Sequence, residues 1–91
     1  MRQKPEFFDD TDIVLIHIGS TLRGSLKLEA LLTERGFDYA VETDSYRSGL
    51  IFRSERVGAF FYVAVRDAAA ARDLMRQHRF KIATDDAPRI P

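Results

Sequence analysis

The chain has 91 residues, 45% of them hydrophobic and 31% charged, and its fourteen basic residues balance fourteen acidic ones. This length is enough for one small domain, and the composition is that of a folded globular protein. Zero net charge argues against a dedicated nucleic-acid or membrane-surface binder. Because the chain contains no cysteine, disulfides, thiolate metal sites and cysteine nucleophiles are excluded.

The amino-terminal residues are polar apart from two aromatic rings. Residues 1–11 are expected to form a flexible arm pinned by Phe7 and Phe8, and they lack the apolar centre of a secretory signal. No apolar run in the chain approaches the ~20 residues of a membrane span. We therefore expect a cytoplasmic protein without membrane contact.

The first half of the chain has the pattern of a strand, a helix and a second strand. Ile13 to Ile18 is mostly β-branched and predicts a buried strand. Phe37 to Thr43 alternates apolar and polar side chains, which predicts a strand with one wet side near a sheet edge.

The helix between these strands has three candidate N-caps, namely Ser20, Thr21 and Ser25. Gly24 favours a later or irregular start, because glycine inside a helix costs about 1 kcal/mol relative to alanine. Gly36 has the position of a C-cap. The inward-facing stripe of the helix is expected to consist of Leu28, Leu31 and Leu32.

The second half repeats the pattern. Val57 to Val65 is apolar on both faces and predicts a central strand, and Asp67 is expected to cap a second helix with Arg72 facing outward. Phe80 to Ala83 predicts a last strand, followed by a frayed tail over residues 85–91. The inward side of the second helix is expected to carry Ala71, Leu74, Met75 and His78. Between the halves, residues 50–54 form either a separate strand or part of a long hairpin arm.

Two strand–helix–strand units joined by a hairpin predict an α+β, ferredoxin-like βαββαβ sandwich over residues 12–84. In this fold a four-stranded antiparallel sheet carries both helices on one face, so the other sheet face is left open. A chain of this size buries only about 60–65% of its unfolded surface, and a second subunit is therefore expected.

Alternation along the strands assigns side chains to the two sheet faces. Aliphatic rows such as Val14, Ile16 and Ile18 are expected beneath the helices. Rows that carry rings with polar ends suit the open face, since such side chains can keep one end wet. This assignment predicts an exposed apolar interface formed by Leu15, His17, Phe60 and Tyr62. A second subunit or the amino-terminal arm would cover it.

Arginines in two regions of the chain are candidates for binding a small anionic ligand. Arg23 lies in the Gly19–Ser25 turn, where backbone N–H groups and the helix dipole would hold a phosphate or carboxylate. Helix capping explains the hydroxyl groups of this turn equally well. The hairpin region carries Arg47, Arg53 and Arg56, which would grip an anion at an oligomer interface or form a solvated tip.

No catalytic constellation is visible in the sequence, and no cofactor or metal site is predicted. The two histidines, His17 and His78, fall on different elements, so a partly buried His17 near Tyr62 is favoured over a metal ligand. Acylphosphatases share the predicted fold, but their pattern needs an asparagine, which this chain lacks. RNA-recognition domains expose aromatic residues on the two central strands, whereas here the aromatic residues are out of register.

Three stretches resemble a short bacterial family. Leu28 to Phe37 resembles the family's "LLeaeGI", Gly58 matches the glycine before its long strand, and Val63 to Leu74 resembles "VpeedaerArelL". Over residues 13–83 the chain thus resembles the signal-transducing-protein family, whose fold is similar to that of the nitrogen-regulatory PII proteins. The resemblance implies a small, non-enzymatic, oligomeric domain that binds a ligand or a partner, and it supplies no catalytic residues.

Three functions follow from these observations. The first is a regulatory or interaction module that self-associates, as a homodimer, through its open sheet face. The second is a sensor domain that binds a small anionic metabolite through the hairpin arginines or the Gly19–Ser25 turn. The third is a small dimeric enzyme that uses His17 in a cavity between the sheet and a helix.

Overall fold

The folded chain combines a β-sheet with two long helices. A computed structural model describes residues 1–48 and 54–84, in which a 3-10 helix (Pro5–Phe8) precedes the main elements. These are β1 (Ile13–Gly19), α1 (Leu22–Glu34), β2 (Ala40–Ser48), β3 (Ser54–Ala64) and α2 (Val65–Gln77). The three strands form one antiparallel sheet in the order β1-β3-β2. The predicted α+β class is confirmed, and β2 lies at the sheet edge as its alternation indicates.

Residues 80–84 lie beside β1 without forming the predicted fourth strand. The Ala83 N–H donates to the Ile16 carbonyl at 2.9 Å. The Leu15 carbonyl, however, accepts a hydrogen bond from Nη2 of Arg72 at 3.0 Å. A side chain from α2 thus bonds to β1 next to the carbonyl that accepts from residue 83. The expectation that Arg72 faces outward is therefore wrong.

An extra residue in β1 changes which side chains face the helices. Leu15 pairs with Tyr62 and His17 pairs with Phe61, so Ile16 has no partner of its own on β3. Such a β-bulge moves the following residues to the opposite sheet face. His17 consequently lies on the helix side, and Ile18 packs with Phe60 on the other side. The predicted faces of His17 and Ile18 are both wrong for this reason.

The helices pack on one sheet face over a continuous apolar core. Burying each large side chain of this kind contributes roughly 1.5–3 kcal/mol to folding. The predicted inward stripes are confirmed except at their margins, since Leu31 is half-buried and His78 is exposed. The buried cluster consists of Ile16, Leu28, Leu32, Tyr39, Phe61, Val63, Ala68, Ala71 and Met75.

The opposite sheet face is buried within the single chain. Leu15 and Phe60 are 0% exposed and Tyr62 is 8% exposed, and the three form one cluster with Ile18 and Ala83 packed against it. At the far end of this face, Phe8 of the 3-10 helix packs on two alanines, Ala40 and Ala64. The prediction that these side chains lie opposite the helices is confirmed for Leu15, Phe60 and Tyr62. The expectation that they are exposed is wrong.

The two helices begin in different ways. Thr21 caps α1, because its Oγ1 accepts a hydrogen bond from the Gly24 N–H at 3.1 Å. Gly24 is thus inside the helix, and the later start that it favours in the sequence is wrong. α2 follows β3 directly, its N-cap Ala64 makes no side-chain hydrogen bond, and Asp67 lies in the first turn. Asp67 therefore does not cap α2 but stands where a carboxylate interacts favourably with the helix dipole.

The amino-terminal residues pair with the chain just before β2. The Gln3 N–H donates to the Tyr39 carbonyl at 2.8 Å, and the Tyr39 N–H donates to the Met1 carbonyl at 3.2 Å. This parallel bridge places Arg2 beside α1. Further along β2, Glu42 is exposed and pairs with Phe60, so its carboxylate lies on the sheet face away from the helices.

The free energy of unfolding should fall as the pH drops below about 6.5, because burial lowers the pKa of His17 below its usual 6.5. Its Nδ1 donates to the Lys81 carbonyl at 2.6 Å, which opposes this effect in part. The unfolded chain then binds the proton at a higher pH than the folded chain does, so protonation favours unfolding. Urea unfolding at several pH values between about 7.5 and 5.5 measures the slope.

His17→Gln should flatten this dependence, since it removes the titrating group. The same substitution at exposed His78 is the matched control and should leave the slope unchanged. A slope that survives His17→Gln would show that another group causes it.

Candidate functional site

A groove lies between the amino-terminal half of α1, the first residues of β2 and the middle of β3. It has a volume of about 290 Å³ and is lined by Arg2, Ser25, Glu29, Val41, Thr43 and residues 19–22 and 57–59. We call this the α1 groove. A cleft of this size, at the lower end of the range of ligand pockets, suits a small metabolite. Val57, expected beneath the helices, is exposed at the rim of this groove.

Close approach of α1 to the end of β1 forms one wall of the groove. A Cβ atom on Gly19 would lie 2.1 Å from Oγ and 3.3 Å from Cβ of Ser25, so any larger residue would force Ser25 to shift. Ser25 is 6% exposed. Its hydroxyl group forms no hydrogen bond with any residue in the described part of the chain. Among the described residues, the only fully buried side-chain polar atom without a partner is Nε of Arg72, so the Ser25 hydroxyl group is still accessible from the groove. It is therefore free to form a hydrogen bond with a ligand there.

The amino terminus of α1 adds donors to the same wall. Thr21 satisfies the N–H groups of Gly24 and Ser25, through Oγ1 and its carbonyl at 3.1 Å each. Within the described residues, the N–H groups of Leu22 and Arg23 have no acceptor. The first N–H groups of a helix and the positive end of its dipole favour an anion.

The opposite end of the groove carries a carboxylate held in a polar network. The Tyr39 hydroxyl group lies 3.2 Å from Oε1 of Glu29 and 3.2 Å from Oγ1 of Thr33. Burial is the main cause that raises the pKa of Tyr39, so its hydroxyl group keeps its proton and donates. Nη1 of Arg2 lies 3.7 Å from the same Glu29 oxygen. Glu29 can accept a hydrogen bond from a hydroxyl or amino group of a ligand.

The arginines that the sequence offers as anion ligands do not line the α1 groove in the described part of the chain. Arg23 lies on the outer face of α1, beside Leu26 and away from the groove lining. Arg47 and Arg56 are placed by strand register, opposite Glu55 and Tyr46 respectively. Arg53 lies outside the described residues.

The predicted interface residues are only partly brought together. Leu15, Phe60 and Tyr62 form one cluster, whereas the bulge moves His17 to the helix side. There the His17 ring makes edge contacts with Phe61 and Phe80, at centroid distances of 5.6 and 6.0 Å. These are the contacts of a core histidine.

Three residues of the groove were missed as ligand-binding candidates: Arg2, Glu29 and Thr43. Ser25 belongs to the Gly19–Ser25 turn, which the sequence offered as a candidate anion site. Glu29 carried a signal, since it falls among leucines on the helical wheel, at the seam between helix and sheet. Arg2 carried none, because the pairing of Met1–Gln3 with Tyr39 joins distant parts of the chain.

Comparison with known proteins gives no assignment: no family model, no curated protein and no solved structure matches the chain. The resemblance to signal-transducing proteins rests on the sequence stretches alone and stays a prediction. Among the described residues, no three acidic, histidine or cysteine side chains are grouped so as to hold a metal ion. In the same part of the chain, neither helix is long and apolar enough to cross a membrane.

Gly19→Ala should lower the free energy of unfolding by about 1–3 kcal/mol, because the added methyl group overpacks the contact with Ser25. Chemical denaturation of the variant measures this loss. Combining it with Ser25→Gly, which removes both the Oγ and the Cβ atom, should cost less than the sum of the two single losses. Strictly additive losses would show that the two residues do not constrain each other.

Proposed function

We propose that this chain is a non-enzymatic regulatory module that binds a small anionic metabolite in the α1 groove. The observation that carries the proposal is Ser25, a largely buried residue that lines the groove and whose accessible hydroxyl group bonds to no described residue. It lies one turn into α1, beside N–H groups that favour an anion. The proposal keeps the sensor hypothesis and, of its two candidate sites, favours the Gly19–Ser25 turn, which lines the groove, over the hairpin arginines.

The ligand should carry an anionic group at one end and a hydroxyl or amino group at the other. The anionic group would accept from Ser25 and from the first N–H groups of α1. The donor group would reach Glu29, whose other hydrogen-bond partner is Tyr39. Val41 and Ala59 offer apolar walls between these two ends.

The fold that we propose for this module is ferredoxin-like. Its support is the element order strand, helix, two strands and helix, together with the sheet order β1-β3-β2. The segment after α2 lies on the free side of β1, where this fold has its fourth strand, and makes one backbone hydrogen bond there. Membership of a PII-like signalling family is consistent with this arrangement and stays a prediction.

Self-association through the sheet face receives less support. That hypothesis was built on an exposed row of aromatic side chains, and Phe60 and Tyr62 are buried within one chain. A second subunit could reach them only after the chain rearranged. An enzyme centred on His17 is also less favoured, since Nδ1 is bonded to Lys81 and the ring is packed between two phenylalanines.

Ligand binding should appear as a rise in melting temperature with at least one probe that combines an anion and a donor. The probes are inorganic phosphate, small hydroxy acids, amino acids and nucleotides. A ligand present at 100 times its dissociation constant stabilises the fold by about 2.7 kcal/mol, which a thermal-shift assay detects easily.

Two substitutions locate the site. Ser25→Ala should keep the fold, because alanine favours helices, and should weaken binding about tenfold by removing a hydrogen bond to a charged group. Arg2→Gln tests the cation at the groove. Lys27→Gln is the matched control, since it removes a cation of α1 that does not line the groove. The proposal fails if no probe shifts the wild type, or if Ser25→Ala binds the active probe as tightly as the wild type does.

A further inference from the structure

The outer face of α1 exposes large apolar side chains to solvent. Leu22 is 76% exposed and Leu26 is 53% exposed, one helical turn apart. Two exposed cations, Arg23 and Lys27, flank them and form no ion pair with a described residue. We call these four residues the α1 stripe. Exposed apolar side chains grouped in this way on a small domain mark an interaction surface.

The amino-terminal 3-10 helix exposes a surface of the opposite charge. Phe7 is 53% exposed while its ring contacts that of buried Phe8 at a centroid distance of 5.0 Å. Three exposed carboxylates lie within three residues of Phe7 along the chain, against one exposed cation, Lys4, and none of the three pairs with a cation of the described chain: Glu6, Asp9 and Asp10. We call Phe7 and these carboxylates the Phe7 knob. Its ring is held in place by the buried neighbour, so presenting it costs little conformational entropy.

The two surfaces cannot meet within one molecule. The knob is anchored through Phe8 at Ala64, whereas the α1 stripe begins beside Gly19, which pairs with Ala59. Five residues of β3 separate these points by about 17 Å. The anchors also lie on opposite faces of the sheet, since Phe8 packs away from the helices.

We propose that the Phe7 knob of one copy docks on the α1 stripe of a second copy. The apolar ring would rest between Leu22 and Leu26, and the carboxylates around it would face Arg23 and Lys27. Two different surfaces meet in this contact, so it is head-to-tail and builds rings or open chains rather than a two-fold dimer. The contact is small and charged, so it should be weak and sensitive to salt. This inference does not depend on the α1 groove having a ligand.

Sedimentation of the full chain tests the association. At low salt, the average mass should rise above that of a monomer as the concentration increases from about 10 μM to about 1 mM, the range of weak contacts. Raising the ionic strength to about 0.5 M should reduce the association at least tenfold. A mass that stays monomeric over this whole range at low salt would overturn the proposal.

Matched variants test whether the Phe7 knob and the α1 stripe are the two surfaces in contact. Phe7→Ser and Leu26→Ser each delete one of the two surfaces, and each should weaken self-association at least tenfold. Val65→Ser, which alters an equally exposed apolar residue outside both surfaces, should not. Circular dichroism verifies that all three variants stay folded. Association of either variant at the wild-type level would contradict the contact.

Mixing the two defective variants gives the sharpest outcome. The Leu26→Ser copy still has its knob and the Phe7→Ser copy still has its stripe, so an equimolar mixture should form a one-to-one complex that grows no further. A contact between two identical surfaces cannot be restored in this way. A mixture that stays monomeric would therefore overturn the head-to-tail arrangement.

Discussion

The bulge at Ile16 is the constraint on which the packing of this small domain depends. One unpaired residue in β1 moves His17 under the helices and Ile18 to the other face, so that both halves of β1 remain buried. It also coincides with the two carbonyl groups that bind elements outside the sheet: Leu15 accepts from Arg72 of α2, and Ile16 accepts from Ala83. β1 is thus joined to β3 on one side and to the segment after α2 on the other.

A second constraint acts where β1 passes into α1. Because Gly19 has no side chain, α1 packs close to the end of β1, and the Ser25 side chain occupies the volume that a Cβ atom on Gly19 would need. The α1 groove lies beside this contact, and it is lined by Arg2 from the amino-terminal residues and by Glu29 from α1. Tyr39 connects these parts, since its backbone pairs with residues 1–3 and its hydroxyl group bonds to Glu29. Packing and the candidate site therefore share the same residues.

The sequence predicted those features that depend on the pattern of apolar and polar residues within a short segment. The edge position of β2, the glycine that follows the last turn of α1, and the inward position of Phe61 and Val63 were predicted correctly, because each follows from neighbours a few residues away. The outer members of the same predicted row, Val57 and Val65, are exposed. Features that depend on distant contacts were not predicted. A bulge leaves the alternation of β1 intact, so nothing local indicated that His17 would change faces. Arg72 has an ordinary outward position on the helical wheel and was turned inward by a carbonyl 57 residues away. The charged part of the groove was missed for the same reason, since Arg2 comes from the amino-terminal residues and Glu29 from the middle of α1.

The exposed carboxylate of Glu42 has a consequence for how this protein behaves when it is concentrated. It stands on the edge strand of the described sheet, where another chain would have to align its backbone to extend the sheet. Such an approach would remove water from the carboxylate without offering it a partner. An exposed acidic side chain at this position therefore disfavours pairing of the edge with a second sheet.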